Sequence, residues 1–367
     1  MTKKFNIAVF KGDGIGPEVM APTVAVLQAL SERFSEFSFD FHAVEAGAGH
    51  YAKTGKSLPS ESLQVARTAD AILLSAMGLP EIRYPDGTEI APQIELRMEL
   101  DLYAGVRPVT VIPGQDSPLK SADLSKIDFV IVRESTEGLF ASHGKGEVEN
   151  DETARETMVI TRTVSQKLFD FSFRLARQRK AAGTGVGKVT CVDKANVFKA
   201  FAFFRKISEE VGRNYPDIEL DAAYVDATAL WMVQKPHVFD VMVTENMFGD
   251  ILSDLGAGIM GGLGLAPSAD IGDKHAVFQP CHGSAPDIAG KGFANPIAMI
   301  LSAAMMLDWL GYERDVPSMI TAADIIRSAV ASVIADGPKT RDLGGTATTG
   351  DISAAILAAC EAVRETA

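Results

Sequence analysis

The chain has 367 residues, of which 47% are hydrophobic and 23% charged, and its formal net charge is −13. This length and apolar content are sufficient for two domains around a sizeable core. The acidic balance argues against nucleic acid or an anionic membrane surface as a partner, so an anionic ligand would need a local cluster of basic side chains.

Neither a targeting segment nor a disulfide framework is predicted. The N-terminus carries no apolar stretch of signal-peptide length, and no continuous run of about eighteen apolar residues is present to span a bilayer. The three cysteines, Cys191, Cys281 and Cys360, are widely scattered and fit neither paired disulfides nor a zinc-ligand spacing. We therefore expect a cytoplasmic protein with no membrane partner.

Apolar strand-like runs alternate with amphipathic segments of helical period. Strands are predicted at residues 5–10, 37–44, 71–75, 127–133, 188–192, 220–225 and 238–244. Helices are predicted at residues 17–32, 60–68, 161–180, 197–211, 295–309, 321–336 and 352–366. This alternation predicts an α/β fold with a mostly parallel or mixed sheet.

Two stretches have the composition of linkers. Residues 108–124 are rich in proline, aspartate and serine, and residues 256–268 are rich in glycine. Dividing the chain near them predicts one discontinuous domain, residues 1–108 with 262–367, and an inserted domain, residues 109–261. Ligands of such proteins tend to bind in the cleft between the lobes.

The segment 238–264 carries the strongest chemical signal. Its predicted helix contains Asp250 and Asp254, and residues four apart project from the same helix face. No lysine or arginine follows within a helical turn to neutralise them, and two such carboxylates suit a hard divalent cation such as Mg²⁺ or Mn²⁺. A solvated acidic helix face is the alternative interpretation.

The segment GDGIGP at residues 12–17 lies between a predicted strand and a predicted helix, where exposed amides attract anions. Its spacing is not G-x-G-x-x-G, and no acidic residue caps a second strand at the expected distance. The segment therefore predicts a tight turn that brings backbone near a ligand, and a standard Rossmann fold is not expected.

Basic side chains at predicted strand ends suggest an acid-binding site. Arg97, Arg107 and Arg133 have the planar fork that suits bidentate binding of a carboxylate, so with the aspartates they could clamp a di- or tricarboxylate bound to metal. Lys194 follows a predicted strand and, beside a metal, could act as a base. Asp226 ends another strand and could be a third metal ligand. Taken singly, each arginine is more often a surface residue or an ion-pair member, the lysine a surface residue and Asp226 a helix N-cap.

Residues 280–296, PCHGSAPDIAGKGFANP, form a long predicted loop dense in glycine and proline. Structured loops of this kind are usually functional. An aspartate there that accepts a hydrogen bond from a ribose hydroxyl would favour NAD, and a basic residue would favour NADP.

Seven segments, taken in order, resemble those of one family over essentially the whole chain. They are GDGIGPE, LR…DLYAGVRP, RESTEG, DKANV, NMFGDILSDLGA, HGSAPDIAGKGFANP and TRDLGGTATTGD. The chain resembles the β-decarboxylating dehydrogenases of 2-hydroxy acids, which include 3-isopropylmalate, isocitrate, homoisocitrate and tartrate/D-malate dehydrogenases. The resemblance implies that family's two-domain α/β fold with a mixed sheet, in which the discontinuous domain binds the cofactor and the inserted domain carries the substrate, metal and dimer contacts.

The resemblance also assigns roles, position by position. Lys194 would accept the proton of the substrate hydroxyl while a hydride leaves for NAD. It and Asp226 would reach in from the partner subunit of a homodimer. The substrate would be bound by Arg97, Arg107, Arg133, Gln93 and Ile94, and the Mg²⁺ or Mn²⁺ ion by Asp226, Asp250 and Asp254. The NAD cofactor would be held by Ile15, His282, Gly283, Ser284, Ala285, Asp287, Ile288 and Asn295.

Two positions depart from the family pattern. The tyrosine that helps proton transfer to the enol after decarboxylation is Phe140 here, so Ser142, His143 or a water would replace it, or turnover is slow or altered. The glutamate that precedes Pro-x-His-Gly is Gln279 here, which removes a charge near the cofactor loop.

Substrate choice in this family is set on the helix before Arg97, where this chain has Ile90, Gln93 and Ile94. This partly apolar set favours a 3-isopropylmalate-type substrate over tartrate or D-malate, and isocitrate is disfavoured because the family's Ser/Asn pair is missing. An alkylmalate substrate would place the protein in leucine biosynthesis. A catalytically weakened regulatory relative is the alternative that Phe140 leaves open.

Overall fold

A computed structural model of the chain describes residues 2–120 and 123–363. Its strands are β1 (Lys3–Phe10), β2 (Phe37–Val44), β3 (Ala71–Leu74), β4 (Ala104–Thr110), β5 (Asp128–Glu134), β6 (Glu147–Glu149), β7 (Thr153–Arg155), β8 (Lys188–Asp193), β9 (Glu219–Tyr224), β10 (Val241–Thr244), β11 (Pro267–Ile271) and β12 (Ala276–Pro280). Its helices are α1 (Gly16–Arg33), α2 (Ala48–Thr54), α3 (Ser60–Thr68), α4 (Pro92–Glu99), α5 (Arg162–Ala181), α6 (Lys199–Gly212), α7 (Val225–Gln234), α8 (Asn246–Ile259), α9 (Ile297–Glu313), α10 (Pro317–Asp336) and α11 (Thr349–Ala362). The predicted α/β class is confirmed.

Ten strands form one continuous sheet in the order β2-β1-β3-β12-β11-β4-β5-β10-β8-β9. Strand β11 pairs antiparallel with both β12 and β4, and β4 pairs antiparallel with β5. The other pairs in this sheet are parallel, so the sheet is mixed, as predicted. Strands β6 and β7 form a separate two-stranded sheet.

The central strands are apolar on both faces because helices cover both sides of the sheet. In β5, Phe129, Ile131 and Val132 are fully buried. Helix α9 packs against β11, β12 and α10, and most of its residues are buried. The helices do not cover the carboxyl ends of β3, β5 and β12, and polar side chains lie at this edge of the sheet.

Helix α10 is, among the described residues, the one helix long and apolar enough to cross a membrane by length and composition. Half of its apolar stretch is buried inside the fold, where it packs against α9 and α11. A core helix passes the same test, so this single helix is weak evidence for a membrane span.

Several element boundaries differ from the sequence prediction. The predicted strand 238–244 is shorter, since β10 begins at Val241. Residues 256–268 are not simply a linker, because α8 continues to Ile259. A Cβ on Gly256 would lie 2.6 Å from Val109 Cγ2, so this glycine permits close packing of α8 on β4. The predicted last helix matches α11, and residues 364–366 of that prediction lie outside the described residues.

The sheet draws its two halves from different parts of the sequence. Strands β2, β1, β3, β12, β11 and β4 come from residues 3–110 and 267–280, whereas β5, β10, β8 and β9 come from residues 128–244. The predicted domain boundaries stay a prediction, and β4 crosses the one placed at residue 108.

Candidate active site

Side chains from distant parts of the sequence line one open cavity of about 190 Å³. It lies at the carboxyl ends of β3, β5 and β12, between α4 and α8, which is where open α/β sheets commonly bind ligands. The residues of the sequence prediction that line it are Gln93, Arg97, Arg107, Arg133, Asp250, Asp254, His282 and Gly283.

Behind the lining of the cavity lies a buried acid that the sequence pattern does not reveal. Asp270 on β11 accepts hydrogen bonds from Arg97 Nε at 3.1 Å and from Arg107 Nη2 at 3.2 Å. Although burial raises the pKa of Asp270, the charges of Arg97, Arg107 and Arg133 outweigh burial and hold that pKa below its ordinary value. Burial alone would lower the pKa of Arg107, and the adjacent Asp270 raises it.

Arg133, at the end of β5, is held by Asn246 at the start of α8. Its Nε and Nη2 donate to Asn246 Oδ1 at 3.0 and 2.6 Å. Burial, together with repulsion from Arg97 and Arg107, lowers the pKa of Arg133 to about 10.

Arg133 also pairs with Asp250, and this corrects a premise of the sequence analysis. The helix of Asp250 itself carries no neutralising lysine or arginine within the next helical turn. The cation comes instead from β5, which lies more than a hundred residues earlier in the chain but packs against α8. Asp250 is nevertheless 60% exposed, so its carboxylate is open to the cavity.

The donor set fits a hard divalent cation only in part within one chain. Asp250 and Asp254 lie one helical turn apart on α8, where burial and the charge of Asp250 raise the pKa of Asp254. Within the described residues, no group of three histidine, cysteine, aspartate or glutamate side chains is close enough to hold a metal ion. Two carboxylates still suit Mg²⁺, which usually keeps several water ligands.

Lys194 and Asp226 lie together but outside the cavity. Lys194 follows β8, and its Nζ is 2.7 Å from Asp226 Oδ1 in the first turn of α7. The hydrogen bond from Lys194 lowers the pKa of Asp226. Both side chains are accessible, at 25% and 69% of their surface. The predicted third metal ligand and the predicted base are thus not joined to Asp250 and Asp254 in a single chain.

Phe140 contacts the cavity through Arg133, whose Cζ lies 5.7 Å from the centre of the ring. Of the two side chains considered as replacements for a tyrosine hydroxyl, Ser142 is engaged. Its hydroxyl donates to Glu156 at 2.7 Å and lies 3.0 Å from the Leu139 carbonyl. His143 is exposed.

The predicted cofactor loop begins beside the cavity, against the GDGIGP turn. The Ile15 amide donates to the Ser284 carbonyl at 2.8 Å, and a Cβ on Gly14 would lie 1.9 Å from that oxygen. This is the tight turn that the sequence predicts. His282 Nε2 is buried without a hydrogen-bond partner among the described residues, and burial lowers the pKa of this imidazole. A buried unpartnered nitrogen of this kind is suited to bind a ligand.

The remaining residues of the predicted cofactor set lie outside the cavity lining. Ala285 adopts a φ of +36°, Asp287 is exposed and Ile288 is half-buried. Asn295 already uses its amide, because Nδ2 donates to Asp342 and Oδ1 accepts from the Ile297 amide at the start of α9.

The predicted specificity residues before Arg97 differ in where they point. Ile90 is fully buried, and Ile94 is not part of the cavity lining. Gln93 lines the cavity, and its Oε1 is buried without a hydrogen-bond partner among the described residues. Only one of the three therefore faces the cavity directly.

Comparison with known proteins places this chain and its fold in a defined family. The model of the isocitrate/isopropylmalate dehydrogenase family matches residues 6–356. The 3-isopropylmalate/3-methylmalate dehydrogenase of Methanocaldococcus jannaschii is 46% identical over 95% of this chain and 96% of its own. The 3-isopropylmalate dehydrogenase of Aquifex aeolicus is 42% identical over 93% and 92%.

Solved structures agree with the sequence comparisons. An isocitrate dehydrogenase from Methylococcus capsulatus superposes with a TM-score of 0.83 at 38% identity, covering 97% of this chain and 99% of its own. A β-decarboxylating dehydrogenase from Thermococcus kodakarensis gives a TM-score of 0.78 at 37% identity, covering 97% and 96%. The protein is a decarboxylating dehydrogenase, an oxidoreductase. It belongs to the isocitrate/isopropylmalate dehydrogenase family, whose members in general use NAD(P) and a divalent metal.

Proposed function

We propose that the protein catalyses the NAD- and metal-dependent oxidative decarboxylation of a 3-substituted malate of the 3-isopropylmalate type. The observation that carries the proposal is the convergence of Arg97, Arg107 and Arg133 with Asp250 and Asp254 in one cavity. The relatives named 3-isopropylmalate dehydrogenase support this substrate class. Such a substrate would place the enzyme in leucine biosynthesis, in the cytoplasm.

The arginines bind and orient the two carboxylates of the malate. Among the described residues, Arg97 uses only its Nε for a protein contact, which leaves both terminal nitrogens for the ligand. Arg107 keeps Nη1 on the Ala269 carbonyl and is therefore fixed in the floor. Guanidinium groups held in this way favour a bidentate contact with a carboxylate.

Two bound groups complete the chemistry. A Mg²⁺ or Mn²⁺ ion, held by Asp250 and Asp254 with Asp226 of a second copy, would stabilise negative charge on the substrate oxygen. NAD, held by the loop that begins at His282, would accept the hydride. The unpartnered His282 Nε2 would be available to the cofactor, and the hydrogen bond from the Ile15 amide to the Ser284 carbonyl holds the loop against the turn.

Lys194, as a neutral amine, takes the proton of the substrate hydroxyl and becomes an ammonium ion, and Asp226, hydrogen-bonded to Nζ, orients the group. We propose that both reach the cavity of a second copy in a homodimer. Exposed large apolar side chains near this pair support such an interface, because soluble chains rarely leave them uncovered. They are Val197, Phe198, Tyr224, Leu230, Val233, Met247 and Ile251.

A second candidate function, tartrate dehydrogenase, is supported by a separate observation. The unpartnered Gln93 Oε1 would accept a hydrogen bond from a hydroxyl substituent at C3 of the malate, and this favours tartrate over an alkylmalate. Because a buried acceptor left unpaired by an alkyl group costs about 1–3 kcal/mol, the two substrate classes can be distinguished kinetically.

The experiment is a substrate panel followed by two products. NADH formation and CO₂ release are measured with Mn²⁺ and 3-isopropylmalate, D-malate, tartrate, isocitrate or homoisocitrate. The proposal expects the highest kcat/KM with 3-isopropylmalate and equal amounts of the two products. Tartrate as the best substrate would support the second candidate, and D-malate as the best substrate would contradict both. NAD binding without turnover of any acid would support a regulatory relative and contradict both.

A further inference from the structure

The two arginines on the floor of the cavity share one acid. Asp270 is 1% exposed, and both of its carboxylate oxygens are engaged. Oδ2 accepts from Arg97 Nε and from Gln279 Nε2, at 3.1 and 2.5 Å. Oδ1 accepts from Arg107 Nη2 at 3.2 Å, and the Ser135 hydroxyl lies 3.5 Å away.

The neighbouring strand leaves room for this arrangement. Gly105 on β4 is the register partner of Asp270 on β11. A Cβ at Gly105 would lie 2.6 Å from Ser135 Oγ and 3.1 Å from Asp270 Oδ1. The backbone of β4 can therefore approach the carboxylate closely only because residue 105 has no side chain.

Gln279 gives the arrangement its particular form in this chain. The family pattern has a glutamate at this position, so the sequence alone predicts that Gln279 removes a charge beside the cofactor loop. The structure shows the negative charge one strand away, on Asp270, with the Gln279 amide donating to it. The register of β11 and β12 places Ser268 opposite Gln279, so residues 270 and 279 lie on adjoining strands two positions apart.

The geometry points to Asp270 as the residue that positions Arg97 and Arg107 for the carboxylates of the substrate, with Gln279 orienting the Asp270 carboxylate. This inference rests on the proposed function, in which those arginines bind a dicarboxylic acid. Asp270 itself does not line the cavity, so it acts through the guanidinium groups.

Loss of this acid would free Arg97 more than Arg107. Arg107 keeps its hydrogen bond to the Ala269 carbonyl, whereas Asp270 is, among the described residues, the one group to which the Arg97 guanidinium donates a hydrogen bond. A freed Arg97 would be attracted to Asp250 and Asp254 in the same cavity. Both the substrate-binding group and the metal ligands would then be displaced.

The test compares four proteins: the wild type, Asp270→Asn, Gln279→Glu and the double variant. KM and kcat are measured for 3-isopropylmalate and for NAD, and binding of 3-isopropylmalate is measured by calorimetry without NAD. Asp270→Asn should raise the KM for the acid about tenfold or more, because small displacements of a binding group cost large factors in rate. The KM for NAD should change by less than about twofold.

The direction in which the KM for the acid changes distinguishes a positioning role of Asp270 from a purely electrostatic one. If Asp270 only lowered the positive charge of the cavity, its neutralisation would strengthen binding of the dianion and lower the KM. A KM that falls or stays constant in Asp270→Asn therefore overturns the inference. Gln279→Glu places a second carboxylate against Asp270 and should also weaken binding, whereas the double variant returns one charge to the pair and should come within about threefold of the wild type.

Asp240→Asn is the matched control for a merely structural loss. Asp240 is also a buried acid paired with an arginine, Arg179, but it precedes β10 at the end opposite α8. This variant should lose thermal stability without a change in the KM for the acid.

If Asp270→Asn does not fold, the double variant still tests the inference. A raised KM for the acid in the folded double variant contradicts it. A wild type that neither binds nor turns over any acid overturns the proposed function and this inference together, whereas normal wild-type binding with unaffected variants overturns this inference only.

Discussion

The arginine cavity and the Lys194–Asp226 pair differ in how complete they are within one chain. In the cavity, Arg107 and Arg133 are at least nine-tenths buried and hold protein partners. The pair lies at the surface beside exposed apolar side chains such as Phe198 and Leu230. The fold alone can build a site that binds an acid. The groups that would move the proton are displayed outward, as expected if a second copy completes the site.

The largest expected effect is the loss of activity in two variants, one from each region, and its recovery when the two inactive proteins form a mixed dimer. Lys194→Ala should lower kcat by about a thousandfold, because positioned acid–base groups contribute factors of that order. Asp250→Asn should lose metal-dependent activity to a similar degree with an unchanged fold. Co-expression of the two should recover activity, because a mixed dimer retains one site with an intact Asp250 and the partner's intact lysine.

The recovered activity has an expected size. Random pairing makes half of the dimers mixed, and each has one intact site of two, so about a quarter of the wild-type specific activity is expected. Recovery should vanish when each variant is purified and assayed alone. If the mixture stays inactive while mixed dimers are demonstrated by a dual affinity tag, the sites are not shared between subunits.

An intermediate effect concerns the pH dependence of metal binding. Because the pKa of Asp254 is raised, its carboxyl group binds a proton at a higher pH than an ordinary aspartate, and the proton competes with the metal. As pH falls through this raised pKa, the Mn²⁺ concentration for half-maximal activity should increase, by about tenfold per pH unit below it.

The kinetic constant that changes, kcat or the apparent affinity for Mn²⁺, distinguishes the Lys194–Asp226 pair from the metal ligands of the cavity. Loss of the Lys194 side chain lowers kcat, whereas protonation of Asp254 acts on the apparent affinity for Mn²⁺. Direct titration of Mn²⁺ binding by electron paramagnetic resonance checks the second effect without turnover. An affinity for Mn²⁺ that is constant from neutral pH down to the ordinary range of aspartate would rule out Asp254 as a metal ligand.

The sequence revealed most of this arrangement, and the missing parts have a physical cause. Period and composition predicted the alternation of strands and helices, and the confirmed mixed sheet follows from it. Strand β11 was missed because it is short and begins within the glycine-rich stretch 256–268, which has the composition of a linker. Asp270 was missed together with that strand.

Contacts between distant segments were also beyond reach of the sequence. Spacing along α8 placed Asp250 and Asp254 on one face, which requires only the helical period. The partner of Asp250 is Arg133, and that contact depends on how α8 packs on β5. The unpartnered Gln93 atom likewise appears only when the neighbours of α4 are known. The assigned roles of the individual site residues stay predictions.

The smallest effect concerns Phe140, which lies next to the arginine cavity and not next to Lys194. Phe140→Tyr keeps the ring over Arg133 and adds a hydroxyl, and Ser142 cannot supply one because it is bound to Glu156. We expect a rise of about two- to tenfold in the rate of CO₂ release, because the added hydroxyl would supply a proton donor for the enol.

Phe140→Leu is the matched control, because it removes the aromatic contact with Arg133 without adding a donor. It should raise the KM for the acid slightly and leave the ratio of CO₂ to NADH unchanged. An unchanged or slower CO₂ release in Phe140→Tyr would mean that the proton reaches the enol by another route. The group that supplies this proton would then belong to the region of Lys194. The partner subunit would in that case carry out both proton transfers.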